Sequence, residues 1–134
     1  MKSHFASPAR TSSGDLEHEI RKVSDSPVMC GILNSMSGLL AVLDDNRQIV
    51  AINERFMQML GIDNPRQALG LRLGEVLQCV HAQDEPAGCG TTRFCSTCGA
   101  AVAIVASQEN DVPAERLCAL TARRDGKTVD LALM

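Results

Sequence analysis

Apolar positions change their spacing several times along the chain, and each change marks an element. Leu16, Ile20 and Val23 recur at helical spacing among Asp15, Glu17, Glu19, Arg21 and Lys22. This predicts a short amphipathic helix with one narrow apolar stripe, to be covered by the rest of the domain or by a second copy of the chain. Before it, residues 1–13 are Ser, Ala, Pro and Thr rich and predict disorder. Pro27 after Ser24-Asp25-Ser26 signals a break and a new helix over 28–36. The compact apolar run 39–43, the turn formers Asp44-Asp45-Asn46-Arg47 and the run 48–52 predict a hairpin.

Asn53 follows the second strand and suits a helix N-cap, with Phe56, Met59 and Leu60 as the apolar face and Gly61 as the stop. Asn64-Pro65 opens another helical turn that Gly70 ends, and 74–79 reads as one more short helix. Residues 99–108 are almost entirely Ala, Val and Ile, long enough to predict a buried helix rather than a strand. Strands over 116–122 and 128–133, joined by Asp125-Gly126, form a closing hairpin.

Composition narrows the function. The 134 residues suffice for one domain with a core. Aromatics are 2% and the net charge is −3, without a basic stripe, so neither base stacking nor phosphate attraction points to nucleic acid. The longest apolar run, 100–106, falls far short of the roughly 18 residues of a membrane span. The opening MKSHFASPARTSSG lacks the apolar core of a secretory signal. These features predict a cytoplasmic protein, where thiols stay reduced and clustered cysteines serve as ligands or catalysts rather than as a disulfide framework. No phosphate-cradling Gly motif and no spaced carboxylate pair calls for catalysis, so a regulatory role is expected rather than an enzyme.

The order strand, turn, strand, Asn-capped helix, short helices, long helix and hairpin resembles a PAS domain. The segment IVAINERFMQMLG, from Ile49 to Gly61, is similar to the PAS core motif, where the second strand runs into an Asn-capped helix. The likeness covers 27–134, leaving 1–26 as a flexible N-terminal segment with the short helix. It implies an α/β (α+β) PAS fold, an antiparallel sheet with flanking helices, and a sensory role. It further implies homodimers and an effector such as the histidine kinase of a two-component system. A PAS sheet has five strands in the order 2-1-5-4-3, whereas four are counted here. The resemblance therefore implies a C-terminally incomplete domain, or a strand supplied by a partner. His18-Glu19-Ile20-Arg21 also resembles the phosphoacceptor box of histidine kinases, but Lys22-Val23 stands where Thr-Pro is expected. A solvated charged face accounts for these four residues.

The chemistry is concentrated in CVHAQDEPAGCGTTRFCSTCGA, 79–100, which is similar to the cysteine-rich stretch of a subset of bacterial signalling PAS domains. Cys79, Cys89, Cys95 and Cys98 have the spacing C-x9-C-x5-C-x2-C. If the long helix starts near Cys95, both CxxC sulfurs lie on its first turn, where free N–H groups favour thiolate. Gly88, Gly90 and Gly99 let the backbone turn N–H groups toward sulfur. Four thiolates suit tetrahedral zinc or an iron–sulfur cluster, with His81 as a possible substitute ligand for Cys79. The rival reading is a metal-free dithiol switch at Cys95 and Cys98. The plainest is small apolar side chains. Cys30 and Cys118, at apolar positions of a helix and a strand, read as core. Haem and flavin are disfavoured, because His81 is the one histidine near the predicted cavity and the Ala-rich helix leaves little room. A Cys79–His81 hydrolase lacks a group to orient the histidine.

Overall fold

The structure, a computed structural model, describes residues 2–133. It divides into two compact units, one spanning Arg10–Arg72 and the other joining the residues up to Ala9 with those from Leu73 onward.

In the first unit, α1 (Ser13–Ser24) starts at Ser12, whose hydroxyl accepts the Asp15 N–H at 3.2 Å. Ile20, the centre of its apolar stripe, is buried, and the helix lies against β2 (Ile49–Ile52) and α2 (Pro27–Ser35). The stripe is thus covered by the helix's own unit. On the solvent side Arg66 grips Glu17 with two contacts, at 2.5 and 3.3 Å. The hydrogen-bonded pair lowers the Glu17 pKa and raises that of Arg66. Helix α2 is capped by Ser26 but leaves Val28 71% exposed. Cys30 is half-buried, its thiol bonded to the Ser24 carbonyl at 3.3 Å; it sits on the surface side of a helix rather than in the core as predicted.

Strand β1 (Ala41–Leu43) pairs antiparallel with β2, Ala41 opposite Ile52, with a register shift between Val42 and Leu43. The Asp44 carboxylate accepts the N–H groups of Asn46 and Gln48, each at 2.9 Å, which closes the predicted turn. Ile49, Val50, Ile52, Phe56 and Ala68 are buried. The Asn53 side chain is buried and triply bonded. Its oxygen accepts the N–H groups of Phe56 and Leu40, both at 3.1 Å, and its amide donates to the Gly38 carbonyl at 2.8 Å. It therefore caps α3 (Glu54–Leu60) and ties the helix start to the segment entering β1. Gly61, at φ 73°, ends α3 as expected, and a 3-10 turn over Pro65–Gln67 follows.

In the second unit, α4 (Leu73–Val76) is shorter than the predicted 74–79; Gln78, at φ 59°, turns the chain out of it. A 3-10 turn (Arg93–Thr97) precedes α5 (Gly99–Asn110), which packs on β3 (Cys118–Arg124). The long helix therefore starts at Gly99, with Cys98 as its N-cap, and not at Cys95. Strand β4 (Lys127–Leu133) pairs with β3 over its length through Asp125 and Gly126, both at positive φ, the geometry of a two-residue hairpin turn. Residues 4–6, expected to be disordered, donate from His4 N to Thr91 O and from Ala6 N to Gly90 O, both at 2.8 Å, and Ala6 is buried.

Among the described residues the strands form two separate two-stranded antiparallel sheets, β1-β2 and β3-β4. The predicted strands are all present, but as two hairpins. Each is zipped by a local turn, so neither needs the other to satisfy its inner ladder.

Candidate thiol centre

All the cysteines of the segment 79–98 lie in the second unit, and each is positioned by a different device. Cys79 forms an antiparallel bridge with Ala122 of β3. It is flanked by bonds from Val80 N to Thr121 O at 2.9 Å and from Arg123 N to Gln78 O at 2.8 Å. Cys89 sits between Gly88 (φ 87°) and Gly90 (φ 90°), a conformation that side-chain-bearing residues adopt with strain. Its own N–H is held by the Glu75 carboxylate at 3.1 Å. Cys95 is buried in the 3-10 turn, and Cys98 is half-buried at the N-cap of α5.

The sulfurs collect backbone donors. Cys89 Sγ accepts the Gly74 N–H at 3.3 Å. Cys95 Sγ accepts the Gly90 N–H at 3.2 Å and lies 3.3 Å from the Thr92 hydroxyl. The His81 backbone favours ionisation of Cys79, and that of Ala100, in the first turn of α5, favours ionisation of Cys118. Gly74 is fitted to Cys89, because a β-carbon there would lie 2.7 Å from Cys89 Sγ and 3.3 Å from its Cβ. Only a glycine permits that approach.

Cys118, read from the sequence as a core residue, is buried but not inert. Its Sγ stands 3.8 Å from Cys98 Sγ. No spacing rule marked it, since its link to Cys98 depends on how β3 returns against α5. Gly74 was likewise unmarked.

Burial dominates the thiol chemistry. It pushes the Cys89 thiol up to about 12, with the Gly74 N–H opposing and the charges of Cys95, Glu75 and Cys98 adding to the rise. Burial also raises Cys79, opposed by the His81 N–H and reinforced by Cys98, Cys95 and Asp84. Cys118 is raised chiefly by burial, and then by its neighbours Cys98 and Cys79.

His81 donates from Nδ1 to the Asp84 carboxylate at 2.7 Å, because an ionised carboxylate only accepts. Its ring stacks on Phe94 at 3.9 Å. In the neutral tautomer that this bond selects, Nε2 carries the lone pair, the form a metal-binding imidazole requires. Among the described residues no group of three or more His, Cys, Asp and Glu side chains stands in an arrangement for holding a metal ion. The donor types suit zinc or iron–sulfur chemistry, because N–H groups aimed at sulfur offset thiolate charge. Ligation requires the side chains to converge further.

The Asn-capped helix after the second strand and the short antiparallel hairpins make this a mixed helix-and-sheet domain. The chain belongs to the PAS domain family, whose model matches residues 29–106, more than half of its length. The match includes Cys79, Cys89, Cys95 and Cys98 and stops before Cys118. No curated protein and no solved structure matches the chain. PAS domains are regulatory modules, and among the described residues no helix is long and apolar enough to cross a membrane.

Proposed function

We propose that this PAS module is a cytoplasmic sensor whose input is the thiol centre of Cys79, Cys89, Cys95 and Cys98. Its output passes, through a homodimer, to a signalling effector such as a histidine kinase that supplies the catalysis. The observation that carries the reading is the direction of the backbone. The N–H groups of Gly74 and Gly90 point at the sulfurs of Cys89 and Cys95. A neutral thiol is a weak acceptor, whereas a thiolate gains from each such bond, and the thiolate is the metal-binding form. A zinc ion or an iron–sulfur cluster is the group these donors suit, with His81 Nε2 as the substitute for Cys79. When bound, it would supply a tie, dependent on metal supply or redox state, between the Gly-rich loop and the start of α5.

The test is metal and acid-labile sulfide analysis, with an absorption spectrum, on anaerobically purified protein. Zinc at one per chain without colour, or iron and sulfide with a broad visible band, supports the reading. Loss of that signal in Cys89→Ser and Cys95→Ser assigns the ligands. Protein that takes up neither metal, and that folds equally well with serine at all four positions, is a purely structural dimerisation module. One observation favours a metal-free thiol switch as the second reading: Cys98 has a second sulfur 3.8 Å away.

A further inference from the structure

We infer that Cys98 and Cys118 form an oxidation site of their own, which a peroxide converts into a disulfide tying the start of α5 to the start of β3. The two sulfurs are 3.8 Å apart, and bond formation requires them to close to about 2.05 Å. The segments that carry them approach closely. Gly99, directly after Cys98, is pressed against the peptide before Cys118. A β-carbon on it would lie 1.9 Å from the Leu117 oxygen and 3.1 Å from Cys118 Cα. The backbones beside the two cysteines are thus already in contact, and the sulfurs have roughly 1.75 Å left to close. All six cysteines are free thiols, so neither the CxxC pair nor this one is bonded in the structure. Cys95 Sγ is occupied by the Gly90 N–H and the Thr92 hydroxyl, whereas the sulfur beside Cys98 Sγ is that of Cys118.

Exposure assigns the order of events. Cys98 is half-buried and Cys118 is 2% exposed, so peroxide reaches Cys98 first. The Cys98 sulfur attacks the peroxide O–O bond, giving a sulfenic acid and one water. The Cys118 sulfur then displaces the hydroxyl from Cys98, forming the S–S bond and releasing a second water. Two thiols lose two electrons in all, and hydrogen peroxide takes them up. Reduction by a dithiol reverses the step.

The signalling consequence rests on the thiol-centre reading above, but the cross-link stands without it. Reduced, chelator-treated full-length protein is exposed to a small molar excess of hydrogen peroxide, alkylated, and digested with trypsin without reduction. Cleavage after Arg93, Arg116 and Arg123 places Cys95 and Cys98 on one peptide and Cys118 on another. The expected product is a dominant 94–116/117–123 cross-link that survives Cys95→Ser and disappears in Cys98→Ser. In Cys118→Ala, a dione probe is expected to trap sulfenic acid at Cys98 at a level about tenfold above wild type. An intact Cys95–Cys98 loop with free Cys118 overturns the inference. So does a cross-link that persists in Cys98→Ser, and so does oxidation without any cross-link in wild type. Metal content measured before chelation separates the two readings. A cross-link in protein that binds no metal removes only the metal centre, and bound metal without the cross-link removes only this site.

Discussion

Gly99 stands so close to Leu117 that a β-carbon on it would overlap the Leu117 carbonyl oxygen, at 1.9 Å. The obstacle is backbone, so no side chain can move aside. Gly99→Ala must therefore push α5 away from β3, and with it the N-cap Cys98 from Cys118. The expected cost is about 3 kcal/mol, at the upper end of overpacking effects. Urea denaturation of the reduced protein measures it, and the 98–118 cross-link yield should fall in the same variant. A stability loss below about 0.5 kcal/mol would mean that the approach is not as close as described.

Gly74→Ala is a different kind of crowding, because its first neighbour is a side chain. The new methyl would meet Cys89 Sγ at 2.7 Å, and the thiol can rotate away. The expected stability cost is about 1–2 kcal/mol. The Gly74 N–H would lose its sulfur acceptor, so metal content is expected to drop more than in a surface control such as Gly14→Ala, whose site is open. Metal stoichiometry of the two variants, purified in parallel, checks this.

Asn53→Ala removes three hydrogen bonds from a buried position and orphans the Leu40 N–H and the Gly38 carbonyl as well as the helix cap. A lost cap alone costs about 1 kcal/mol, and the half-buried Leu40 N–H adds less than a fully buried orphan while the exposed Gly38 carbonyl can turn to water, so a loss of about 1–2 kcal/mol is expected. Asn53→Asp keeps the acceptor but loses the donor to Gly38, and should fall in between. Thermal melts followed by circular dichroism would rank the three proteins.

Alkaline pH should destabilise the reduced, metal-free chain. The Cys89 thiol, ordinarily near 9.0, is raised by burial to about 12 in the folded state. The unfolded chain therefore loses this proton first. Stability is full below about pH 9 and falls as the pH rises toward 12, by at most roughly 1.4 kcal/mol per pH unit. Urea midpoints across that window measure the slope. Cys89→Ala should flatten it relative to wild type, and an unchanged slope would contradict the burial argument.

Much of the architecture was written in short-range signals. Asn53, Gly61 and Asp125-Gly126 act on backbone groups within a few residues, so their roles could be read one element at a time. The Ala- and Val-rich run gave a helix because nothing in it interrupts the period. The helix begins at Gly99 as that run predicts, but the CxxC pair is not on its first turn, because Cys95-Ser96-Thr97 closes a tighter turn, with Cys98 N–H on Cys95 O at 3.2 Å.

The sequence by itself determined the elements, the family resemblance and the collection of thiols in one stretch. Hydrophobic period, capping residues and turn chemistry are local properties of a chain. Only the tertiary structure decided which sulfurs meet. Cys118 lies 20 residues beyond Cys98, and the N–H groups of His4 and Ala6 cross more than eighty residues to reach 90–91. Such contacts depend on how β3 returns against α5 and on where a glycine lets two backbones touch. Spacing along the polymer carries no record of either.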